Sequence, residues 1–198
     1  METIRIHEVK QPDRAPRLPA LLQVWEASVR ATHHFLSDAE VKQIREYVPQ
    51  ALTGVANLFV AESKTGVPVA FMGTEDGRLE MLFLSPDERG KGLGRQLLEY
   101  GIREQGVREV TVNEQNPQAV GFYEHMGFET YQRTACDEEG NPYPLLYMKL
   151  KEGYKSSSMR YPYRAELFLC QLLQMAAAVC SSGTVSVRSM RFTSPSFT

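Results

Sequence analysis

Phe83-Leu84-Ser85-Pro86-Asp87-Glu88-Arg89-Gly90-Lys91-Gly92-Leu93-Gly94-Arg95 is the stretch on which the fold turns. An apolar run, a Ser-Pro turn and three alternating glycines predict a buried strand, a glycine-rich loop and a helix from Gly92 to about Gln105. Gly90, Gly92 and Gly94 let backbone N–H groups approach a bound anion closely. The helix start adds unpaired donors and the positive end of its dipole. Arg89, Lys91 and Arg95 bring positive charge to the same loop. The whole is a pyrophosphate cradle in outline. A P-loop fits badly, because Lys91 is followed by Gly92 rather than Ser or Thr. A dinucleotide fingerprint fits badly too, because Leu97 stands where a third glycine is needed.

A second stretch follows, Asn116-Pro117-Gln118-Ala119-Val120-Gly121-Phe122-Tyr123-Glu124-His125-Met126-Gly127-Phe128. Asn116 suits an N-cap, Pro117 the first helical position and Gly127 the helix end. The pattern Arg89-x-x-Gly92-x-Gly94 resembles the coenzyme-A loop of the GNAT N-acetyltransferase superfamily. The second stretch is similar to that family's Asn-x-x-Ala-x-x-x-Tyr-x-x-x-Gly-Phe signature. The resemblance runs roughly from Thr3 to Leu150. Val112-Asn113-Glu114-Gln115-Asn116 and Pro142-Tyr143-Pro144-Leu145-Leu146 look most like the bacterial YjaB-like subgroup.

This resemblance implies an α/β (α+β) fold, a mixed central sheet with helices on both faces. It implies transfer of an acetyl group from acetyl-coenzyme A to a primary amine, on a small molecule, a peptide lysine or an N-terminus, by direct attack in a ternary complex. Arg89, Gly90, Lys91, Gly92, Leu93, Gly94 and Arg95 would hold the diphosphate. Leu82 and Leu84 would lend backbone groups to the pantetheine arm, and Asn116 would contact that arm or simply cap its helix. Tyr123 would be the general acid for the departing sulfur; a core tyrosine is the plain alternative. The loop between the first two helices would wall the acceptor site, so His33 or His34 is a candidate for that wall, able to exchange a proton with an amine near neutral pH. A helix-terminal histidine pair accounts for them equally simply.

Two candidates rest on the residues themselves. Glu80 is a carboxylate within the apolar stretch Leu79–Phe83, where partial burial would tune it as a general base. It could also merely flank the turn at Gly77. Asn113 shares a strand face with Thr111 and could point into a cleft, or lie at a solvated strand end. Cys136 has no histidine placed to activate it, which favours direct transfer over an acetyl-cysteine intermediate. Asp137-Glu138-Glu139 reads as a solvated hairpin tip.

The remaining periodicity completes the order β-α-α-β-β-β-α-β-α-β-β. The strands are Thr3–Glu8, Leu58–Ala61, Val67–Gly73, Leu79–Leu84, Val107–Asn113, Phe128–Cys136 and Leu145–Leu150. A helix spans Leu18–Thr32. Ser37 with Glu40 forms a capping box for a further helix toward Leu52. Residues 1–152 form one domain. Residues 153–198 read as a C-terminal extension, disordered or with one short helix near Ala165–Cys180. They carry five basic residues and one acidic.

Of 198 residues, 42% are hydrophobic and 23% charged, which suits a soluble domain with a sizeable core. A net charge of −2 argues against a nucleic-acid partner. No apolar run is long enough for a membrane span, and the first residues lack a signal-peptide pattern. Three cysteines without paired spacing suggest a reducing, cytoplasmic setting and no metal site. The expected partners are therefore acetyl-coenzyme A and an amine acceptor, with a homodimer as the assembly considered. Two other functions fit the same motifs. A non-catalytic acyl-coenzyme-A sensor would release no thiol with any amine, and Tyr123 speaks against it. A toxin-like acetylase of aminoacyl-tRNA would need a basic face, against which the acidic core speaks.

Overall fold

The computed structural model describes residues 4–137 and 140–154. Strand β1 (Arg5–Glu8) leads through short 3₁₀ turns at Gln11–Asp13 and Ala15–Arg17 into helices α1 (Leu18–Arg30) and α2 (Asp38–Gly54). A meander follows of β2 (Asn57–Glu62), β3 (Pro68–Glu75) and β4 (Arg78–Leu84). Then come α3 (Leu93–Glu104), β5 (Glu109–Asn113), α4 (Pro117–His125), β6 (Phe128–Thr134) and β7 (Leu145–Leu150). The seven strands form one sheet in the order β1-β2-β3-β4-β5-β7-β6. Only β4 and β5 run parallel, because α3 carries the chain back between them. The predicted fold and element order are both present.

Cores lie on both faces of the sheet. Leu82 and Leu84 of β4 pack with Leu97 and Leu98 of α3 and Phe122 and Tyr123 of α4. Met81 and Phe83 point the other way, toward Trp25 of α1 and Val48 and Leu52 of α2. That alternation is the period of a strand buried on both faces. It is interrupted once. Gly73 pairs with Met81 but Thr74 pairs with Leu79, so Glu80 is the extra residue of a β-bulge. Gly73 admits the bulge because a Cβ there would lie 2.6 Å from Met81 Cγ.

The bulge coincides with the feature that makes a cleft. β5 pairs with β4 only at Arg78–Glu109 and Leu79–Val110. Beyond that point β5 continues to Asn113 and β4 to Leu84 without pairing.

Local signals place the helix ends. Ser37 Oγ accepts from Glu40 N–H at 3.3 Å while Glu40 Oε2 accepts from Ser37 N–H at 2.7 Å, the predicted capping box. Asn116 Oδ1 accepts from Ala119 N–H at 3.1 Å, with Pro117 opening α4. Several bounds differ from expectation. β5 starts at Glu109 rather than Val107, because Gln105 and Val107 N–H both donate to Gly101 O and finish α3. β6 stops at Thr134. Asp137 is buried rather than solvated, its carboxylate accepting from Asn141 N–H at 2.7 Å and Asn141 Nδ2 at 2.9 Å. Residues 138–139 and the extension from residue 155, with Cys170 and Cys180, lie outside the described residues.

Candidate active site

The glycine-rich loop opens α3 as expected. Gly90 has φ 70° and Gly92, the N-cap, has φ 83°, a left-handed conformation that suits glycine. Nothing lies within 4 Å of a Cβ built on Gly92, so the loop faces open space there. Leu93 and Gly94 are buried and anchor the helix start against the sheet. The first N–H groups of α3 have no partners within the helix by its geometry. Around them, Lys91 Nζ donates to Glu88 Oε1 at 3.1 Å and Arg95 Nε to Glu99 Oε1 at 2.8 Å. Arg89 turns elsewhere: its Nη2 donates to Ser28 O near the end of α1, at 3.3 Å.

From this loop the cleft runs along β4. Ser85 N–H donates to Val69 O at 2.8 Å, toward β3. Backbone groups alternate sides along a strand, so those of Leu82 and Leu84 face the other edge, which β5 has left. Across the cleft, Asn113 and Asn116 are buried at the end of β5 and the start of α4. Asn113 Oδ1 accepts from Gln115 N–H at 2.8 Å and Asn116 Oδ1 caps α4, yet neither Nδ2 has a partner among the described residues. Two buried amide donors without acceptors are costly unless a ligand completes them. Asn113 is therefore not the solvated strand end that the sequence allowed. Tyr123, 1% exposed, packs edge-on against Phe122 and Phe128 at centroid distances of 5.2 and 5.9 Å.

Glu80 sits at the bulge with a side chain 12% exposed, so the expected partial burial is present. Arg78 stands beside it, Nε 3.7 Å from Glu80 Oε1, and also donates to Glu109 Oε2 at 3.3 Å and Thr111 Oγ1 at 3.2 Å. The sequence reading missed Arg78, although period-two spacing from Glu80 on one strand is a usable signal.

His33 and His34 part company. Both line a surface pocket of about 270 Å³ with Arg30, Leu36, Asp38 and Val41, but His34 is exposed and His33 is 3% exposed. The His33 pKa is pushed down to about 3, chiefly by burial, with the Arg89 and His34 charges adding to the shift and a Val29 backbone hydrogen bond opposing it. The imidazole is neutral near pH 7, which corrects the expectation of proton exchange with an amine at His33. The shift also makes stability depend on pH. The unfolded chain takes up this proton below about pH 6.5 and the folded chain does not. The stabilisation is complete above pH 6.5 and is lost as pH falls toward 3. Melting temperatures should therefore fall less steeply between pH 6.5 and 4 in His33→Gln than in the wild type; parallel slopes would contradict this.

A glycine-rich loop opening α3, a parted β4–β5 pair and a buried tyrosine on α4 are the arrangement that the sequence led one to expect of an N-acetyltransferase. The chain belongs to the GNAT acetyltransferase family, whose acetyltransferase (GNAT) domain profile matches residues 23–150. GNAT acetyltransferases use acetyl-coenzyme A as cosubstrate. The peptidyl-lysine N-acetyltransferase YjaB of Salmonella typhimurium is 43% identical over 126 residues, covering 64% of this chain and 86% of that protein. YjaB of Escherichia coli K12 is 42% identical over 126 residues, 64% of this chain and 85% of that protein. The solution structure of apo YjaB from Escherichia coli is 36% identical, with a TM-score of 0.65, covering 74% of this chain and 97% of that one.

Proposed function

We propose that the protein acetylates the side-chain amine of lysine in a peptide or protein, using acetyl-coenzyme A and direct attack in a ternary complex. The parting of β4 from β5 carries the reading, because it leaves the backbone edge of Leu82 and Leu84 for an extended arm. The diphosphate rests on the loop from Arg89 to Arg95, with Gly90, Gly92 and Gly94 allowing close approach and Lys91 supplying charge. Leu93 holds that loop to the sheet. Arg89 acts here through the end of α1 rather than as a direct clamp. The Asn116 Nδ2 donor meets a carbonyl of the pantetheine arm, and the Asn113 donor an acyl or acceptor carbonyl. Glu80 takes the proton of the amine, Arg78 fixing its carboxylate. Tyr123 gives its proton to the leaving sulfur. His33 serves as a neutral wall and His34 as a polar rim for the acceptor.

The lysine acceptor is supported by the two YjaB relatives, which are peptidyl-lysine N-acetyltransferases. The exposed free thiol of Cys136 suits a reducing, cytoplasmic setting. No helix among the described residues is long and apolar enough to cross a membrane. Residues 1–152 are taken as the catalytic domain.

The test is thiol release from acetyl-coenzyme A with lysine peptides, N-terminal amines and polyamines in parallel. Lysine peptides should be turned over best. Turnover of small amines alone would move the acceptor class, and calorimetry showing no heat with acetyl-coenzyme A would end the reading. In Glu80→Gln the acidic limb of the pH–rate profile should be lost or displaced. An unaltered profile would remove Glu80 as the base and leave deprotonation to water.

A further inference from the structure

Pro142-Tyr143-Pro144 has no part in the scheme above, yet it is fastened with unusual care. Tyr143 lies in the connection from β6 to β7, and its hydroxyl donates to Glu40 Oε1 at 2.5 Å, across 103 positions of sequence. Glu40 sits in the first turn of α2, and its other oxygen already serves the helix cap, accepting from Ser37 N–H at 2.7 Å and Ser37 Oγ at 2.5 Å. The carboxylate is thus divided, one oxygen for the helix and one for Tyr143. The tyrosine ring packs against Phe35 with centroids 6.0 Å apart, and Phe35 packs edge-on against His33 at 5.3 Å. One residue further, Pro144 O accepts from Glu114 N–H at 2.9 Å, just where Leu145 pairs with Asn113 at the end of β5.

These contacts fall on opposite sides of the cleft. Phe35, Ser37 and Glu40 belong to the α1–α2 side, whose core backs β2 to β4. Glu114 and Asn113 belong to the β5 side, next to the buried amides of Asn113 and Asn116. At one end of the cleft the two sides are joined by the Arg78–Glu109 and Leu79–Val110 pairs. At the other end Tyr143 and Pro144 join them. Burial, together with the Glu40 charge, pushes the Tyr143 phenol up to about 12, so it stays a donor across the working pH range.

We propose that Tyr143 is a positioning residue for acetyl transfer: through Glu40 it ties the α1–α2 loop to the end of β5 and thereby sets the opening through which the acceptor amine reaches the cleft. The inference rests on the acetyl-transfer reading above for its function, and on geometry alone for the tie.

Tyr143→Phe removes the hydroxyl and keeps the ring against Phe35. Ser37→Ala weakens the α2 cap and leaves the Tyr143–Glu40 bond. The two variants separate positioning from mere helix stability. In Tyr143→Phe the acceptor KM should rise roughly ten-fold, the loss expected for one hydrogen bond to a charged group. Its acetyl-coenzyme-A Kd by calorimetry should be unchanged, and amide hydrogen exchange should quicken together at residues 32–36 and 113–115. Ser37→Ala should lower the melting temperature with no change in acceptor KM. An acceptor KM within about two-fold of wild type in Tyr143→Phe, or an equal rise in Ser37→Ala, overturns the proposal. A wild type that turns over no amine defeats the acetyl-transfer reading instead. The exchange measurement then decides the tie by itself, and unchanged exchange in Tyr143→Phe overturns it.

Discussion

Tyr123→Phe should lower kcat at least about 100-fold while leaving the acetyl-coenzyme-A Kd within about two-fold of wild type. The expectation follows from what the substitution removes and what it keeps. Tyr123 is buried against Phe122 and Phe128, and phenylalanine preserves both ring contacts. α4 itself is fixed at its start by the Asn116 cap and Pro117, neither of which is touched. Only the hydroxyl goes, and with it, on the proposed mechanism, the proton for the leaving thiolate. A positioned general acid contributes typically 100- to 10,000-fold. That contribution exists only in the transition state, so it appears in kcat and not in ground-state binding. The residual rate would be protonation of sulfur by water reaching the cleft. Steady-state thiol release and calorimetry on the same preparations check both halves. An unchanged kcat would leave Tyr123 as a core ring and return the protonation step to solvent. A loss in Kd equal to the loss in kcat would make it a binding residue.

Those parts of the site that were legible in the sequence share one property: their signals are local. The loop Arg89–Arg95, the capping box of Ser37 and Glu40, and Asn116-Pro117 each state a backbone conformation within a few residues of themselves. Backbone geometry is set there by φ preference and by the first unpaired N–H groups, so composition and spacing suffice. What escaped depends on partners distant in the chain. Spacing marks Glu80 as a carboxylate in an apolar strand, but the bulge on which it sits comes from the slip of β3 past β4 at Gly73. Nothing near Arg89 says that its guanidinium donates to Ser28 O at the end of α1, 61 positions earlier. His33 and His34 are neighbours of identical type, and only tertiary packing makes one buried and neutral and the other exposed. The Tyr143–Glu40 bond belongs with these, since a tyrosine between two prolines announces a stiff turn and not its partner.

Arg14 is the extreme case, and its removal should have a large effect on stability. It lies in an unremarkable polar segment between β1 and α1, and nothing in its neighbours singles it out. In the fold it is 1% exposed. Its Nε donates to Val9 O at 3.1 Å, its Nη1 reaches Leu52 O and Thr53 O at 3.2 Å and Val55 O at 2.6 Å, and its Nη2 donates to Ala56 O at 3.1 Å. Apart from Val9 O, which follows β1, these carbonyls are those that α2 leaves unpaired at its C-terminal end, together with the chain entering β2. A guanidinium there meets the negative end of the helix dipole and supplies donors in several directions from one planar group. Removing it strands several buried acceptors at once, where each stranded group costs about 1–3 kcal/mol. Arg14→Ala should therefore destabilise the fold by about 3–4 kcal/mol in urea titration, near the upper end for a point substitution. Arg14→Lys keeps the charge but presents a single ammonium on a stem that cannot span the ends of β1 and α2 together, and should recover less than half of the loss. The folded fraction of either variant should still bind acetyl-coenzyme A normally, because none of the carbonyls that Arg14 holds belongs to the glycine loop, β4 or β5. A loss below about 1 kcal/mol in Arg14→Ala would mean that water replaces the guanidinium at those carbonyls, and that the end of α2 is held by the apolar contacts of Leu52 and Val55 instead.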